Sequence, residues 1–273
     1  MEQTPDPDLQ VVTAIYEALD REQPEAAIRL AEIALSGAGA DDPVLRFLAG
    51  IAHIELGAAA EAVEHLRRAV ELDEEDTEFR ANLAHALFAS CRFEESQTQC
   101  IQVLEQDGHN PDGHMVSGLL LERGGDLNAA DDAFAEAHRL DPQGYPLPVR
   151  LEAAEFETIL ELAMTALPES VRGALDEVVV SVEPLPDDEA LQADDGTLDP
   201  ELLGLFVGVP RSESNSSMGP GHAPARILIF KRNLERCFTE RAQLGEEIAR
   251  TLYHELGHYL GLDEDDLEER DLQ

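Results

Sequence analysis

The first half of the chain repeats itself every 34 residues. The segments "AAEAVEHLRRAVELDEED" and "LNAADDAFAEAHRLDPQG" superpose after two such steps, which places Ala62 over Ala130 and Leu66 over Phe134. A third segment, "FEESQTQCIQVLEQDG", lies halfway between them and puts Ser96 at the alanine position. A fixed period of this length indicates stacked helical units that bury their apolar faces only against their neighbours. Because a generic helical bundle would not hold the register, we predict an all-α solenoid over residues 1–144.

Small residues keep the same step on the preceding helix of each unit, at Gly50, Ala84 and Gly118. The pattern resembles the tetratricopeptide repeat, which has a small residue in helix A, Ala-x3-Phe in helix B and a closing proline. Pro142 supplies that proline, whereas Glu74 and Gly108 depart from it. We expect three regular repeats and a weaker first copy, "PEAAIRLAEIALSGAGADD", which is shifted by one residue.

The resemblance implies a concave groove built from the A helices. We expect it to be lined by Phe47, Ile51, His85, Phe88, Met115 and Leu119. This set lacks the lysines and arginines that clamp a terminal carboxylate. An apolar groove can hold a partner helix or peptide, which makes a protein partner one reading. The chain's own N-terminal segment or its second half can fill the groove equally well, and the sequence leaves both readings open.

The composition excludes some partners and favours one compartment. A formal net charge of −39 argues against nucleic acids and anionic membranes, since both attract positive charge. Three cysteines far apart in sequence form no disulfide framework, which favours a reducing environment. The first residues, "MEQTPDPDLQ", do not resemble a signal peptide, and no apolar run is long enough to span a membrane. We therefore expect a soluble, cytoplasmic protein.

The pattern changes from Tyr145, and we predict a separate α+β domain over residues 145–273. A helical pattern runs to Pro168, and the β-branched stretch Val178–Val182 predicts a strand. Two further strands are predicted at "LLGLFVGVP" and "ARILIFKR", with a mobile Ser/Gly/Pro-rich loop over 211–225. The segment "FTERAQLGEEIARTLYHELGHYLG" then predicts a final helix.

This last helix carries His254, Glu255 and His258 in an HExxH motif. Histidines four apart stack on one face of a helix and can reach one ion. An i,i+4 apolar stripe lies roughly 200° away around the axis. The stripe consists of Leu244, Ile248, Leu252, Leu256 and Leu260. We therefore expect the stripe to be buried against the sheet and the two histidines to face a cleft.

Glu255 is turned about 100° from the histidines, which suits contact with a metal-activated water better than chelation. A catalytic zinc site needs a third protein ligand and an open position. Gly261 can end the helix in the left-handed conformation and turn the chain back. Acidic residues just beyond it can then supply an oxygen ligand.

Residues 151–273 resemble the minimal zincin-like metallopeptidases, a family of small bacterial domains. The resemblance rests on the leading helix, "VVVSVEPLP", "LLGLFVGVP", "ILIFKRNLER" and the motif HExxHxxGxx followed by an acidic residue. It implies a compact zincin fold, Zn²⁺ held by His254 and His258, and Glu255 as the catalytic glutamate. The third-ligand position falls on Glu264, where the family has aspartate, and Asp263, one residue out of register, is the reserve.

The leading hypothesis is a zinc-dependent peptidase in which Glu255 moves the proton of the attacking water and the repeats recruit a peptide or protein substrate or a regulator. Strand 226–230 is expected to bind an extended peptide at its edge. His222 and Tyr259 are candidate oxyanion stabilisers, although each also fits a surface or packing role. One alternative is a repeat adaptor whose zincin-like domain binds metal without cutting, and a weaker one is a purely structural zinc.

Overall fold

The computed structural model describes residues 7–37, 39–192, 198–211 and 224–262. Most of the loop predicted over 211–225 therefore lies outside the described residues. The chain divides into two compact units, Met1–Tyr145 and Pro146–Gln273. None of the helices in the described ranges combines the length and the apolar character needed to cross a membrane.

The described part of the first unit consists of helices packed as successive pairs, which confirms the predicted all-α repeat region. The helices are α1 (Pro7–Leu19), α2 (Pro24–Leu35), α3 (Pro43–Glu55), α4 (Ala59–Leu72), α5 (Thr77–Ala89), α6 (Phe93–Gln106), α7 (Pro111–Arg123) and α8 (Leu127–Leu140). The repeated small residues lie where the two helices of a pair meet. A Cβ atom at Gly50 would lie 2.5 Å from Leu66 Cγ, and one at Gly118 would lie 2.4 Å from the Phe134 ring. The glycines therefore permit the close packing of helix A on helix B.

The helix starts follow the same 34-residue step. Asp42 Oδ1 accepts hydrogen bonds from the N–H groups of Val44 at 2.9 Å and Leu45 at 3.1 Å, which caps α3. Asp76 caps α5 in the same way, and Asn110 Oδ1 accepts from Gly113 N at 2.8 Å to cap α7. Side chains of this kind satisfy the otherwise unpaired N–H groups of a first helical turn.

The turns inside the pairs repeat as well. Gly57, Cys91 and Gly125 have φ angles of 73°, 57° and 83°, and they are spaced 34 residues apart. Glu22, at φ 55°, lies 35 residues before Gly57 and so shows the one-residue shift of the first copy. These turns need the left-handed conformation, which glycine adopts without the steric penalty paid by other residues.

Replacing Cys91 with glycine is therefore expected to stabilise the repeat unit by about 1 kcal/mol, because it relieves the left-handed backbone of a residue with a Cβ. Urea unfolding of the full chain, followed by hydrogen exchange in α5 and α6, measures the effect. The control is Thr98→Gly, at an exposed position inside α6, which should destabilise the helix. Equal destabilisation by both changes would show that the turn does not favour glycine.

The predicted groove lining is wrong for three of its six residues. Phe47, Phe88 and Leu119 are only 6%, 3% and 1% exposed and belong to the core of the repeat unit. Their rings and side chains fill the space between neighbouring helices, as shown by the Phe47 and Phe79 rings, whose centroids lie 4.9 Å apart. The other three residues, Ile51, His85 and Met115, are partly exposed.

The second unit has the predicted α+β character. Within the described residues its α-helices are α9 (Ala153–Ala166), α10 (Glu169–Arg172), α11 (Lys231–Cys237) and α12 (Arg241–Leu260), and its strands are β1 (Val179–Glu183), β2 (Gly204–Val207) and β3 (Arg226–Phe230). The "ARILIFKR" segment ends as a strand at Phe230, because Lys231 already begins α11. The N–H of Arg232 donates to the Pro184 carbonyl, which fixes this turn from strand into helix.

The described strands form one sheet in the order β1-β3-β2. The central strand, β3, pairs in parallel with β1 along its whole length and antiparallel with β2. The prediction that strand 226–230 binds a peptide at its edge is therefore wrong, since both edges of β3 are already paired. Strand order depends on contacts between distant segments, so the local pattern could not reveal it. The strand at the edge of this sheet on the α12 side is β2.

The core of this unit joins α12, α9 and the sheet. Leu244, Ile248, Leu252 and Leu256 of the predicted stripe are 0% exposed, whereas Leu260 is partly buried. They pack in one apolar cluster with Phe156 and Leu160 of α9 and with Ile227 and Ile229 of β3. Burial of the stripe against α9 as well as the sheet fixes the rotation of α12 about its axis.

A buried glutamate ties α11 to the start of the unit. Glu235 is 0% exposed, and its Oε1 accepts from Lys231 Nζ at 2.6 Å and from Leu151 N at 2.9 Å. Its Oε2 lies 3.4 Å from the Arg150 guanidinium, and its carbonyl accepts from Val149 N at 2.9 Å. A buried carboxylate needs such partners, because an unpaired charge in the interior is costly.

Candidate metal centre

The two motif histidines converge at the C-terminal end of α12. His254 Nε2 and His258 Nε2 lie 3.0 Å apart, and the rings meet nearly edge to face, at 81° with centroids 4.7 Å apart. Both side chains are partly exposed, in contrast to the fully buried Leu252 and Leu256. The imidazoles therefore lie off the apolar stripe, as the helical spacing predicts.

The donor set fits a zinc ion. With Zn–N distances of about 2.0–2.1 Å, two nitrogens of a tetrahedral site lie about 3.3 Å apart. The two Nε2 atoms are already within a few tenths of an ångström of that separation. Neutral imidazole nitrogens are also among the ligands that zinc prefers. The pair can therefore hold one ion with little movement of either ring.

Glu255, which lies between the two histidines in sequence, contacts the sheet. It is 7% exposed, and its Oε2 accepts a hydrogen bond from the backbone N–H of Phe206 at 2.6 Å. This bond joins α12 to β2, which is one of the two edge strands of the described sheet. The carboxylate therefore attaches the helical turn that carries the two imidazoles to the strand.

The pairing of β2 explains which way the Phe206 N–H points. Phe230 N donates to the Leu203 carbonyl, so these two residues form a hydrogen-bonded pair. In an antiparallel ladder, hydrogen-bonded pairs alternate with pairs whose N–H and C=O groups point away from the partner strand. Phe206 lies opposite Ile227 three positions along and therefore directs its N–H away from β3, toward the outer edge of β2. Glu255 takes up a donor that the sheet leaves unused.

Helix α12 ends as the sequence predicts. Gly261 has φ 88° and ψ 24°, and Leu262 N donates to the Gly257 carbonyl at 3.0 Å. This is the left-handed glycine cap that turns a chain back on itself. Glu264, the predicted third ligand, and Asp263, its reserve, lie outside the described residues. Within the described ranges, His254 and His258 are not joined by a third His, Cys, Asp or Glu side chain in an arrangement suited to a metal.

Comparison with known families accounts for both units. A family model for zincin-like metallopeptidases matches residues 175–273, and two models for tetratricopeptide repeats match residues 12–77 and 53–120. The chain carries tetratricopeptide repeats followed by a zincin-like metallopeptidase domain. No curated protein matches the chain.

Several solved structures are similar to part of this chain. YrrB, described as a TPR protein with an unusual peptide-binding site, is 27% identical over 48% of this chain and 70% of its own, with a TM-score of 0.42. TTC0263, a thermophilic TPR protein of Thermus thermophilus, is 17% identical over 49% of this chain and 74% of its own, with a TM-score of 0.46. MamA from Desulfovibrio magneticus RS-1 is 18% identical over 59% of this chain and 84% of its own, with a TM-score of 0.44.

Tyr259 has a structural partner in the zincin-like domain. Its hydroxyl donates to Glu177 Oε2 at 2.7 Å, and Glu177 Oε1 also lies 2.9 Å from the Arg211 guanidinium. Burial and the bond to Glu177 raise the pKa of Tyr259 above its ordinary value. The ring packs 5.9 Å from that of Phe206. These contacts fit the packing role that the sequence had left open beside the oxyanion role. His222, the other oxyanion candidate, lies outside the described residues.

Sequence reasoning missed the contribution of β2 to this site. The Phe206 N–H is a backbone group, and Gly204 has no side chain, so neither residue type indicates chemistry by itself. Their proximity to Glu255 depends on bringing together segments 49 residues apart. The only local signal was a glycine inside a strand, which often marks a close approach of another element.

Proposed function

We propose that the zincin-like domain is a zinc-dependent peptidase that hydrolyses peptide bonds, and that the repeats recruit its protein substrate or a regulator. We assign residues 1–144 to recruitment and residues 145–273 to hydrolysis. The observation that carries the proposal is the convergence of the His254 and His258 Nε2 atoms at 3.0 Å, on the same helix from which the Glu255 carboxylate binds the backbone of β2.

In this proposal His254, His258 and Glu264 hold the zinc ion, with Asp263 as the reserve for the third position. When bound, zinc supplies a Lewis acid that lowers the pKa of water and polarises the scissile carbonyl. The two imidazoles bind through Nε2, since these are the atoms that converge. A carboxylate oxygen as third ligand is common in catalytic zinc sites, which leave one position open.

Glu255 serves as the general base in the same proposal. Its carboxylate accepts the proton of the attacking water and later passes it to the leaving amine. The Phe206 N–H fixes the position of Oε2 of this carboxylate. An extended substrate would lie beside the outer edge of β2 and pair with backbone groups other than the Phe206 N–H, which Glu255 already occupies.

The repeat region supports a protein partner in a general way, because tetratricopeptide repeats stack into extended binding surfaces. The partly exposed Ile51, His85 and Met115 form the part of the predicted groove that a partner can reach. The groove's occupant and the cytoplasmic location stay predictions.

One observation favours the alternative of an adaptor that binds metal without cutting. Glu255 is 7% exposed and already engaged by a backbone N–H, as a residue with a purely structural role would be. In that case the bond to β2 would serve to hold the edge strand on the helix.

Metal analysis and a peptide-library cleavage assay on the full chain separate these readings. We expect one zinc per chain, loss of zinc in the variant His254→Ala, and cleavage that stops with a chelator and returns with added zinc. The matched control is His114→Ala, in the repeat unit, which should retain zinc and activity. Bound zinc without cleavage of any peptide would favour the adaptor, and a chain that binds no zinc would contradict both readings.

A further inference from the structure

We infer that Gly204 is a positioning residue for Glu255. The absence of a side chain at Gly204 lets β2 lie close enough to α12 for the Phe206 N–H to hold the Glu255 carboxylate. The inference rests on the proposed function, in which that carboxylate is the base.

The contact between β2 and α12 at Gly204 leaves no room for a methyl group. A Cβ atom there would lie 2.5 Å from Thr251 Cγ2, 3.3 Å from Glu255 Cγ and 3.3 Å from the Leu228 carbonyl oxygen. The first distance is far below van der Waals contact between carbon atoms, which is about 3.5–4.0 Å. An alanine at this position therefore has to separate the strand from the helix or displace Thr251.

The helix has little freedom to move away. On its other side Leu252 and Leu256 are 0% exposed in the apolar core, and Thr251 itself is 7% exposed. A well-packed interior resists added volume. Among the described strands β2 pairs with β3 alone, so we expect β2 to be the element that gives way.

Movement of β2 acts on the carboxylate through one bond. The Phe206 N–H donates to Glu255 Oε2 at 2.6 Å, and Phe206 follows Gly204 by two residues on the same strand. Side chains two apart on a strand share a face, so Gly204 and the Phe206 ring both face α12. A shift of about 1 Å takes this bond beyond ordinary hydrogen-bond length and removes its constraint on the position of the carboxylate.

The test compares Gly204→Ala, Thr251→Ser and the double variant in the zinc-loaded full chain. We expect Gly204→Ala to lower kcat about 10- to 100-fold with little change in KM and in zinc content, because misplacing a catalytic group by about 1 Å costs up to that factor. Thr251→Ser removes the clashing Cγ2 atom and should be close to wild type alone. Combined with Gly204→Ala it should restore most of kcat.

The matched control is Gly245→Ala on α12. A Cβ there meets only Ile159 Cγ2 at 3.4 Å, an ordinary contact, so activity should not change. Unchanged kcat in Gly204→Ala, or no rescue by Thr251→Ser, would overturn the inference. A Gly204→Ala chain that no longer folds would also overturn it, since glycine would then serve the fold rather than the carboxylate.

Hydrogen exchange of the Phe206 amide tests the same bond without activity. We expect slow exchange of this amide in the wild type and faster exchange in Glu255→Ala and in Gly204→Ala. Exchange should be slow again in the double variant that combines Gly204→Ala with Thr251→Ser. If the wild type cleaves no peptide while this exchange pattern holds, the proposed function fails and the positioning role of Gly204 stands. If cleavage occurs while exchange is the same in all variants, the inference fails alone.

Discussion

Replacing Glu255 with glutamine is expected to lower peptide hydrolysis by about 10²- to 10⁴-fold, the usual contribution of a general acid–base group. The glutamine amide cannot take a proton from water, but its oxygen can still accept the hydrogen bond from the Phe206 N–H. The side chain therefore stays bound to β2. Zinc binding should not change, because His254 and His258 are untouched. Steady-state cleavage of the best library peptide, together with metal analysis, measures both quantities.

The control for this variant is Glu246→Gln, an exposed position on the same helix, which should leave cleavage unchanged. Wild-type turnover in Glu255→Gln would remove Glu255 from its role as base. Loss of zinc in that variant would instead show that the glutamate helps to hold the metal.

Replacing Glu235 with alanine should destabilise the zincin-like domain by about 3–5 kcal/mol, the cost of removing one partner from a buried ion pair. The change leaves the Lys231 ammonium and the Leu151 N–H without their acceptor in an environment where Glu235 is 0% exposed. It also weakens the attachment of the segment that precedes α9 to α11, although the bond from Val149 N to the carbonyl of residue 235 is kept. This loss of stability should exceed the loss caused by removing any surface charge of the domain.

Hydrogen exchange in β3 and α12 of the full chain, in increasing denaturant, measures this loss separately from the repeat unit. The control is Glu183→Gln, because Glu183 and Arg226 are about half exposed and 3.9 Å apart, a pairing that contributes less than about 1 kcal/mol. Equal effects of the two substitutions would show that the Glu235 contacts do not stabilise the domain.

The repeat region was predictable because its packing imposes a period on the sequence. Ala62, Ala130, Leu66 and Phe134 are 0–3% exposed, as their superposition implies. The helix caps and the turns follow the same 34-residue step. Cys91 stands at the turn position where Gly57 stands one step earlier, and its positive φ shows that it adopts the same left-handed conformation. The groove prediction failed for Phe47, Phe88 and Leu119 because the repeat pattern does not separate residues that line the groove from residues that fill the core.

In the zincin-like domain, helix periodicity was enough to place His254 and His258 together and to put the apolar stripe elsewhere. The order of the strands was beyond local patterns, since β1 and β2 both pair with a strand that follows them in sequence. The same reason hid the bond from Phe206 to Glu255 and the start of α11 at Lys231. Each of these depends on contacts between segments distant along the chain.

The most direct test of the account is an anomalous-diffraction map, recorded at the zinc absorption edge, of crystals of the zinc-loaded chain. We expect one strong peak about 2.0–2.1 Å from Nε2 of both His254 and His258, with a carboxylate oxygen of Glu264 or Asp263 completing the protein ligands. A peak at other residues, or no peak near the two imidazoles in protein that contains zinc, would contradict it.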